Sequence, residues 1–139
     1  MKNWTAHKNP DHDQVSLTDA GYEIENAKII SADLSMEECG VLTLSLVLEG
    51  AGWGCAYGGY VLGHGYLGSE EFKGSAKGME SIMRIMDVVG VEKFIDLKGK
   101  IIRVAARGWG GSIKIIGNVI SDKWFDIESF FENDKEDVK

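Results

Sequence analysis

The sequence predicts an α+β domain: a small, mostly antiparallel sheet of about five strands with one main helix and a short C-terminal helix. Three stretches carry that expectation. VLTLSLVLE, residues 41–49, has leucine at 42, 44, 46 and 48, the period of two that marks a strand with one buried face. SAKGMESIMRIMDVV, residues 75–89, changes the period: Met79, Ile82, Met83, Met86 and Val89 fall at i, i+3, i+4, i+7 and i+10, one helical stripe expected to face the core. KIIRVAAR and SIKIIGNVIS, residues 100–107 and 112–121, flank Gly108-Trp109-Gly110-Gly111 and read as a hairpin with a glycine-rich tip.

Taken in order, residues 1–22 are polar, hold the only proline, Pro10, and show neither period, so they read as a flexible N-terminal arm. EIENAKIISAD, residues 23–33, can be extended, and MEECG connects it to the leucine strand as an antiparallel hairpin. After the GAGWG turn a third strand is expected from Cys55 to Leu62. Ser75 suits the N-cap of the main helix and Gly90 its stop, while Gly78 should weaken the first turn by up to about 1 kcal/mol relative to alanine. VEKFIDL can form a short turn before Lys98-Gly99, and KWFDIESFF leads into a helical turn whose apolar side is Ile127, Phe130 and Phe131. Residues 23–131 are therefore expected to form a single α+β domain, followed by an acidic tail over 132–139.

A chain of 139 residues is sized for one domain, and with 44 % hydrophobic and 27 % charged residues it has the composition of a folded one. The formal charge of −7 argues against long nucleic acids, whose phosphates are neutralised by Lys and Arg. No run reaches the roughly 20 apolar residues of a membrane span, and MKNWTAHKNPDHD lacks the apolar stretch of a secretory signal, so an intracellular protein is expected. Cys39 and Cys55 then read as reduced thiols.

No catalytic or metal-binding group stands out. His7 and His12 lie in the arm and His64 stands between two glycines, which gives zinc no converging ligands. Cys39 follows Glu37 and Glu38, whose charge would disfavour its thiolate. Gly50, Gly52 and Gly54 alternate, yet they lead into a strand rather than open a helix, so a dinucleotide fingerprint is set aside. The second hairpin is more informative. Alternation puts Arg103, Ala105 and Arg107 on one face and Ile102, Val104 and Ala106 on the other; on the return strand Ser112, Lys114 and Asn118 oppose Ile113, Ile115 and Val119. The polar side would carry two guanidiniums, with Cα atoms about 13 Å apart, plus an ammonium and an amide, a set suited to a pyrophosphate. A solvated sheet face explains the same pattern. Trp53, Tyr57, Tyr60, Tyr66 and Trp109 can likewise be core or subunit contacts rather than stacking platforms.

IENAKIISADLSMEECGVLTLSLVLEGAGWGCAYGGYVLG, GSAKGMESIMRIMDVVGVEKFIDLKGKIIRV and KIIGNVISDKWFDIESFF closely resemble phage proteins of the Thoeris anti-defense type 1 family, a likeness running from about Ile24 to Phe131. The resemblance implies a small antiparallel sheet with helices and a sponge activity: binding a cyclic ADP-ribose isomer made by a bacterial TIR-domain enzyme, and holding it without cleavage. It implies no enzyme and no cofactor, a homo-oligomer with signal pockets at a dimer interface, further sites for cyclic trinucleotides in larger assemblies, and action in the host bacterial cytoplasm. The GN of KIIGN matches the family pattern and makes Asn118 the first ligand candidate; Arg107 and Trp109 surround the hairpin tip. Arg103 and Lys114 would supply charge, and Tyr57 and Tyr60 of the glycine-aromatic segment would flank a purine. The alternative is a structural or protein-binding phage module whose aromatic segments form an oligomer contact.

Overall fold

A computed structural model describes residues 11–37, 40–65, 72–108 and 112–137. The α+β class holds, with one antiparallel sheet, but among the described residues the sheet has seven strands rather than about five and there are three helices. In chain order these are α1 (Gln14–Asp19), β1 (Glu23–Met36), β2 (Val41–Gly50), β3 (Trp53–Gly65), β4 (Phe72–Gly74), α2 (Ala76–Val89), a 3-10 turn over Phe94–Leu97, β5 (Ile101–Ala106), β6 (Ile115–Gly117), β7 (Trp124–Asp126) and α3 (Ile127–Asp137). The unanticipated strands β4 and β7 are three residues each, too short to show a period.

The strands lie in the order β4-β3-β2-β1-β5-β6-β7. In a flat sheet β3 and β7 would be about 24 Å apart, at roughly 4.8 Å per strand. Yet the Tyr57 hydroxyl on β3 donates to the Phe125 carbonyl on β7 at 3.4 Å. The sheet therefore curls strongly around its inner face. Three register shifts assist the bend: one in β1 between Ile29 and Ser31, and two in β2–β3, between Leu42 and Thr43 and between Thr43 and Ser45, the last beside Gly58 and Gly59. Gly58 has φ 105°, and a Cβ there would lie 2.5 Å from the Leu44 carbonyl oxygen, so only glycine fits this kink.

The leucine strand behaves as its period requires. Leu44, Leu46 and Leu48 are buried on the inner face with Ile29, Ile102, Val104, Ile116 and Phe125. Helix α2 covers that face between the expected caps: Ser75 Oγ accepts from Gly78 N at 2.9 Å, and Gly90 takes φ 94°. Its orientation corrects the sequence reading. The buried line is Lys77, Gly78, Ser81, Ile85 and Val88, whereas Met79 and Met83 are exposed and Ile82, Met86 and Val89 are only partly buried. The buried line lies roughly a third of the circumference away from the methionine stripe, at about 100° per residue. Small residues explain the turn, because Gly78 and Ser81 let the helix backbone approach β3, with a Cβ on Gly78 falling 2.8 Å from Leu62 Cα.

The outer face is covered at one end. Leu17 of α1 packs with Ala105, Ile115 and Trp124, joined by Tyr22 and Ile24. Asp13 caps α1 by accepting from Ser16 N, and the Gln14 amide donates to Asp122 at 2.8 Å. The second half of the expected arm is thus a docked helix. Among the described residues no helix is long and apolar enough to cross a membrane.

Candidate functional site

The polar hairpin face does not assemble as expected. Strand β6 covers only Ile115–Gly117, and its register pairs Arg103 with Gly117 and Ala105 with Ile115. Directly paired residues share a face, so Ile115 stands on the side of Arg103 rather than opposite it. Ala105, expected to leave space between two arginines, is buried under Leu17, Ile115 and Trp124. An apolar cluster fills the place of the proposed diphosphate cleft.

Arg103 is a brace. Its Nε donates to the Asn118 carbonyl at 2.8 Å, one terminal nitrogen to the Ser121 carbonyl at 3.0 Å and the other to Gln14 Oε1 at 3.1 Å, while the guanidinium lies 4.7 Å from the Trp124 ring centre. That fork ties α1, β5 and the 118–124 loop together. Asn118 works in the same joint. Its Nδ2 donates to the Val88 carbonyl at 2.9 Å and reaches that of Val89 at 3.4 Å, at the C-terminal end of α2. Its Oδ1 accepts from the amides of Ile120 and Ser121, both at 2.9 Å. Gly117 lies beneath Trp124, whose ring would be 2.3 Å from a Cβ at that position. The GN pair therefore has a structural role in this fold: glycine admits the indole and asparagine joins helix to loop.

The remaining candidates separate. Arg107 places its guanidinium 4.4 Å from the Tyr22 ring centre on the outer side. Tyr57 is a core residue, which corrects its assignment as a purine flank; burial, with the Asp126 charge adding, holds its phenol well above the ordinary tyrosine range. Trp109 and Tyr66 lie outside the described residues, as does Cys39. Cys55 is a free, half-buried thiol, pushed up in pKa by burial.

One pair from the predicted set does meet. Tyr60 is partly exposed on the inner side of β3 and stacks on Phe131 of α3 with ring centres 4.8 Å apart and planes within 6°. The Lys114 ammonium lies 5.8 Å from the centre of the Tyr60 ring. Burial raises the Tyr60 phenol above its ordinary value; Lys114 pulls it down and Glu128 and Glu132 push it up. Phe131 is the component that sequence reasoning assigned only to packing, although its place in the Phe130-Phe131 pair put one ring on each side of the helix edge.

A second polar group looks catalytic at first sight. Asp126 is buried and accepts from His12 Nε2 at 3.1 Å and from Ser129 Oγ at 3.0 Å. However, the serine bonds the carboxylate and not the imidazole, and the Ser129 amide bonds the same carboxylate at 3.1 Å. Asp126 acts as the cap of α3, and among the described residues no base is placed to activate the hydroxyl. Among the described residues no group of three or more His, Cys, Asp and Glu converges as a metal would require. Comparisons with family models, curated proteins and solved structures gave no match.

Proposed function

We propose that this chain is a non-catalytic sponge that binds a TIR-derived cyclic ADP-ribose isomer and withholds it from its effector inside the host bacterial cell. The sequence likeness to the Thoeris anti-defense type 1 proteins supplies the ligand class. The observation that carries the reading here is the Tyr60–Phe131 stack with the Lys114 ammonium beside it, where an aromatic face and a cation of the predicted set meet. A flat ring can lie against the exposed part of Tyr60, and Lys114 can turn from the ring towards a phosphate. Base stacking of this kind contributes about 1–3 kcal/mol. Binding by stacking and charge requires no proton transfer, so the ligand is released intact.

Isothermal titration of the purified chain with cyclic ADP-ribose isomers tests this. Saturable binding is expected, weakened about tenfold or more by Tyr60→Ala and by Lys114→Ala, since 1.4 kcal/mol is a factor of ten. Ligand recovered after heat denaturation should be unchanged. Absence of heat at micromolar ligand overturns the proposal, and a linear ADP-ribose product turns it into an enzyme. The second reading, a protein-binding module, is favoured by a different observation, an apolar groove of about 350 Å³ at the N-terminal end of α2, lined by Leu34, Met36, Phe72 and Met79.

A further inference from the structure

Asp126 stands where two parts of the fold meet. On β7 it pairs with Ile115 and so shares the outer face of the sheet with it, the face on which α1 docks. From that face its carboxylate starts α3: Oδ1 accepts from the Ser129 amide and Oδ2 from the Ser129 hydroxyl. Two residues later Phe131 stacks on Tyr60. The first amide of α3, that of Ile127, donates to the Lys114 carbonyl at 3.1 Å, so the same helical turn is seated on the residue whose ammonium lies beside the Tyr60 ring. Into this turn reaches His12 of the arm, whose Nε2 donates to Asp126 Oδ2 at 3.1 Å. The rest of the arm is anchored elsewhere on the outer face, with the Gln14 amide on Asp122, Gln14 Oε1 on Arg103, and Leu17 among Ala105, Ile115 and Trp124.

We propose that His12 is a latch: by bonding Asp126 it couples the docked arm on the outer face to the set of α3, and so positions Phe131 against Tyr60 on the inner face. The ligand half of this inference rests on the sponge reading. Three observations carry it. Asp126 is only 7 % exposed, and a buried carboxylate needs its lone pairs occupied; His12 supplies a donor to the same oxygen that the Ser129 hydroxyl uses. The bond can nevertheless open, because His12 keeps 22 % of its side chain exposed and shares a polar cavity of about 220 Å³ with Asp11, Arg84, Asp87, Asp122 and Lys123. Opening there wets polar groups and leaves Leu17 in its cluster. Between Asp126 and Phe131 the packing is stiff: the Phe130 ring is fully buried and meets Phe125 and Phe131 edge-on at 5.4 and 5.6 Å, so a shift of the first turn is passed to Phe131 rather than absorbed. His12 is thus a positioning residue, and release of the arm lowers affinity without removing a stacking or charged group of the site.

Hydrogen exchange of the full chain without ligand, read by mass spectrometry, tests the latch, and calorimetry with cyclic ADP-ribose isomers tests its consequence. His12→Ala should speed exchange of the amides of residues 127–131 about threefold to tenfold while those of β2 keep their rates. His12→Gln, whose side-chain amide donates at a similar reach to the imidazole Nε2, should bring the α3 rates back to within about twofold of wild type. Val15→Ala, at an exposed position of α1, should change nothing. Affinity should fall by about the same factor as α3 opens in His12→Ala and recover in His12→Gln. Unchanged α3 exchange in His12→Ala overturns the inference, as does faster exchange spread evenly over the chain, or a glutamine variant that behaves like alanine. A wild type that binds the isomer with an affinity indifferent to His12→Ala overturns the coupling to Phe131. A wild type that binds no isomer removes the sponge reading, and the exchange pattern then decides the latch by itself.

Discussion

Gly78→Ala separates what helix propensity asks of α2 from what its packing allows. Alanine in place of glycine favours a helix interior by about 0.8–1 kcal/mol. From sequence alone the variant should be the more stable protein. The packing reverses the sign: a Cβ at Gly78 would sit 2.8 Å from Leu62 Cα, 3.1 Å from its carbonyl oxygen and 3.2 Å from its Cβ. The nearest of these atoms is backbone of β3, and the Leu62 carbonyl already accepts from the Ser75 amide at 2.9 Å. Neither side can yield without disturbing the helix cap or the strand. Overpacking of this kind costs about 1–3 kcal/mol, so the net expectation is a loss of up to about 2 kcal/mol. For a chain of this length 1 kcal/mol moves the melting midpoint by roughly 3 °C. Urea unfolding at one fixed protein concentration should show a lower midpoint with an unchanged slope. Ala76→Gly, at an exposed first-turn position, calibrates propensity in the same helix and should cost no more than about 1 kcal/mol. A Gly78→Ala protein more stable than wild type refutes the close approach of α2 to β3.

Two further outcomes follow from the joint and the core. Asn118→Ala removes the hydrogen bonds to the Val88 carbonyl and to the Ile120 and Ser121 amides, and should destabilise by about 1–3 kcal/mol in thermal melts. Asn118→Asp keeps the acceptor but sets a carboxylate against the negative end of α2, so it should not rescue the loss. Tyr57 gives a pH dependence. Its folded pKa is raised above the unfolded value of about 10, so the folded state holds the proton longer. The stability it contributes is complete below pH 10 and declines as pH rises from there towards the folded pKa. Melting curves between neutral and strongly alkaline pH should fall on that side, and Tyr57→Phe should flatten the fall. An unchanged alkaline decline in Tyr57→Phe would place the titrating group elsewhere.

The elements with a strong local signal were legible in the residues. The leucines of β2, the Ser75 cap and the Gly90 stop needed no knowledge of the rest of the chain. Helix α1 lacked such a signal, because six residues with one anchor, Leu17, show no period, and its place depends on Gln14 and His12 meeting Asp122 and Asp126 more than a hundred residues away. The curl of the sheet was also hidden, since it is visible only when Tyr57 meets Phe125.

The misassigned features share one cause: a residue's neighbours across the sheet, not its chemistry, determine what it can do. Alternation assigned Arg103, Lys114 and Asn118 to a shared polar face, on the assumption that residues 112–121 form one continuous strand. Pairing stops after Gly117, where Asn118 turns the chain, and the register then sends Ile115 to the arginine's side while Lys114 reaches Tyr60. A similar argument applies to α2. Gly78 and Ser81 carry almost no hydrophobic weight in a periodic pattern, yet their small size makes them the line of closest approach. The methionines displaced by that choice do not vanish into solvent at random. Met79 joins Leu34, Met36 and Phe72 where the core face outruns its helix. One close helix–strand contact thus both seals the interior and leaves an apolar opening beside it, which is why the Gly78 variant tests the packing decision behind both.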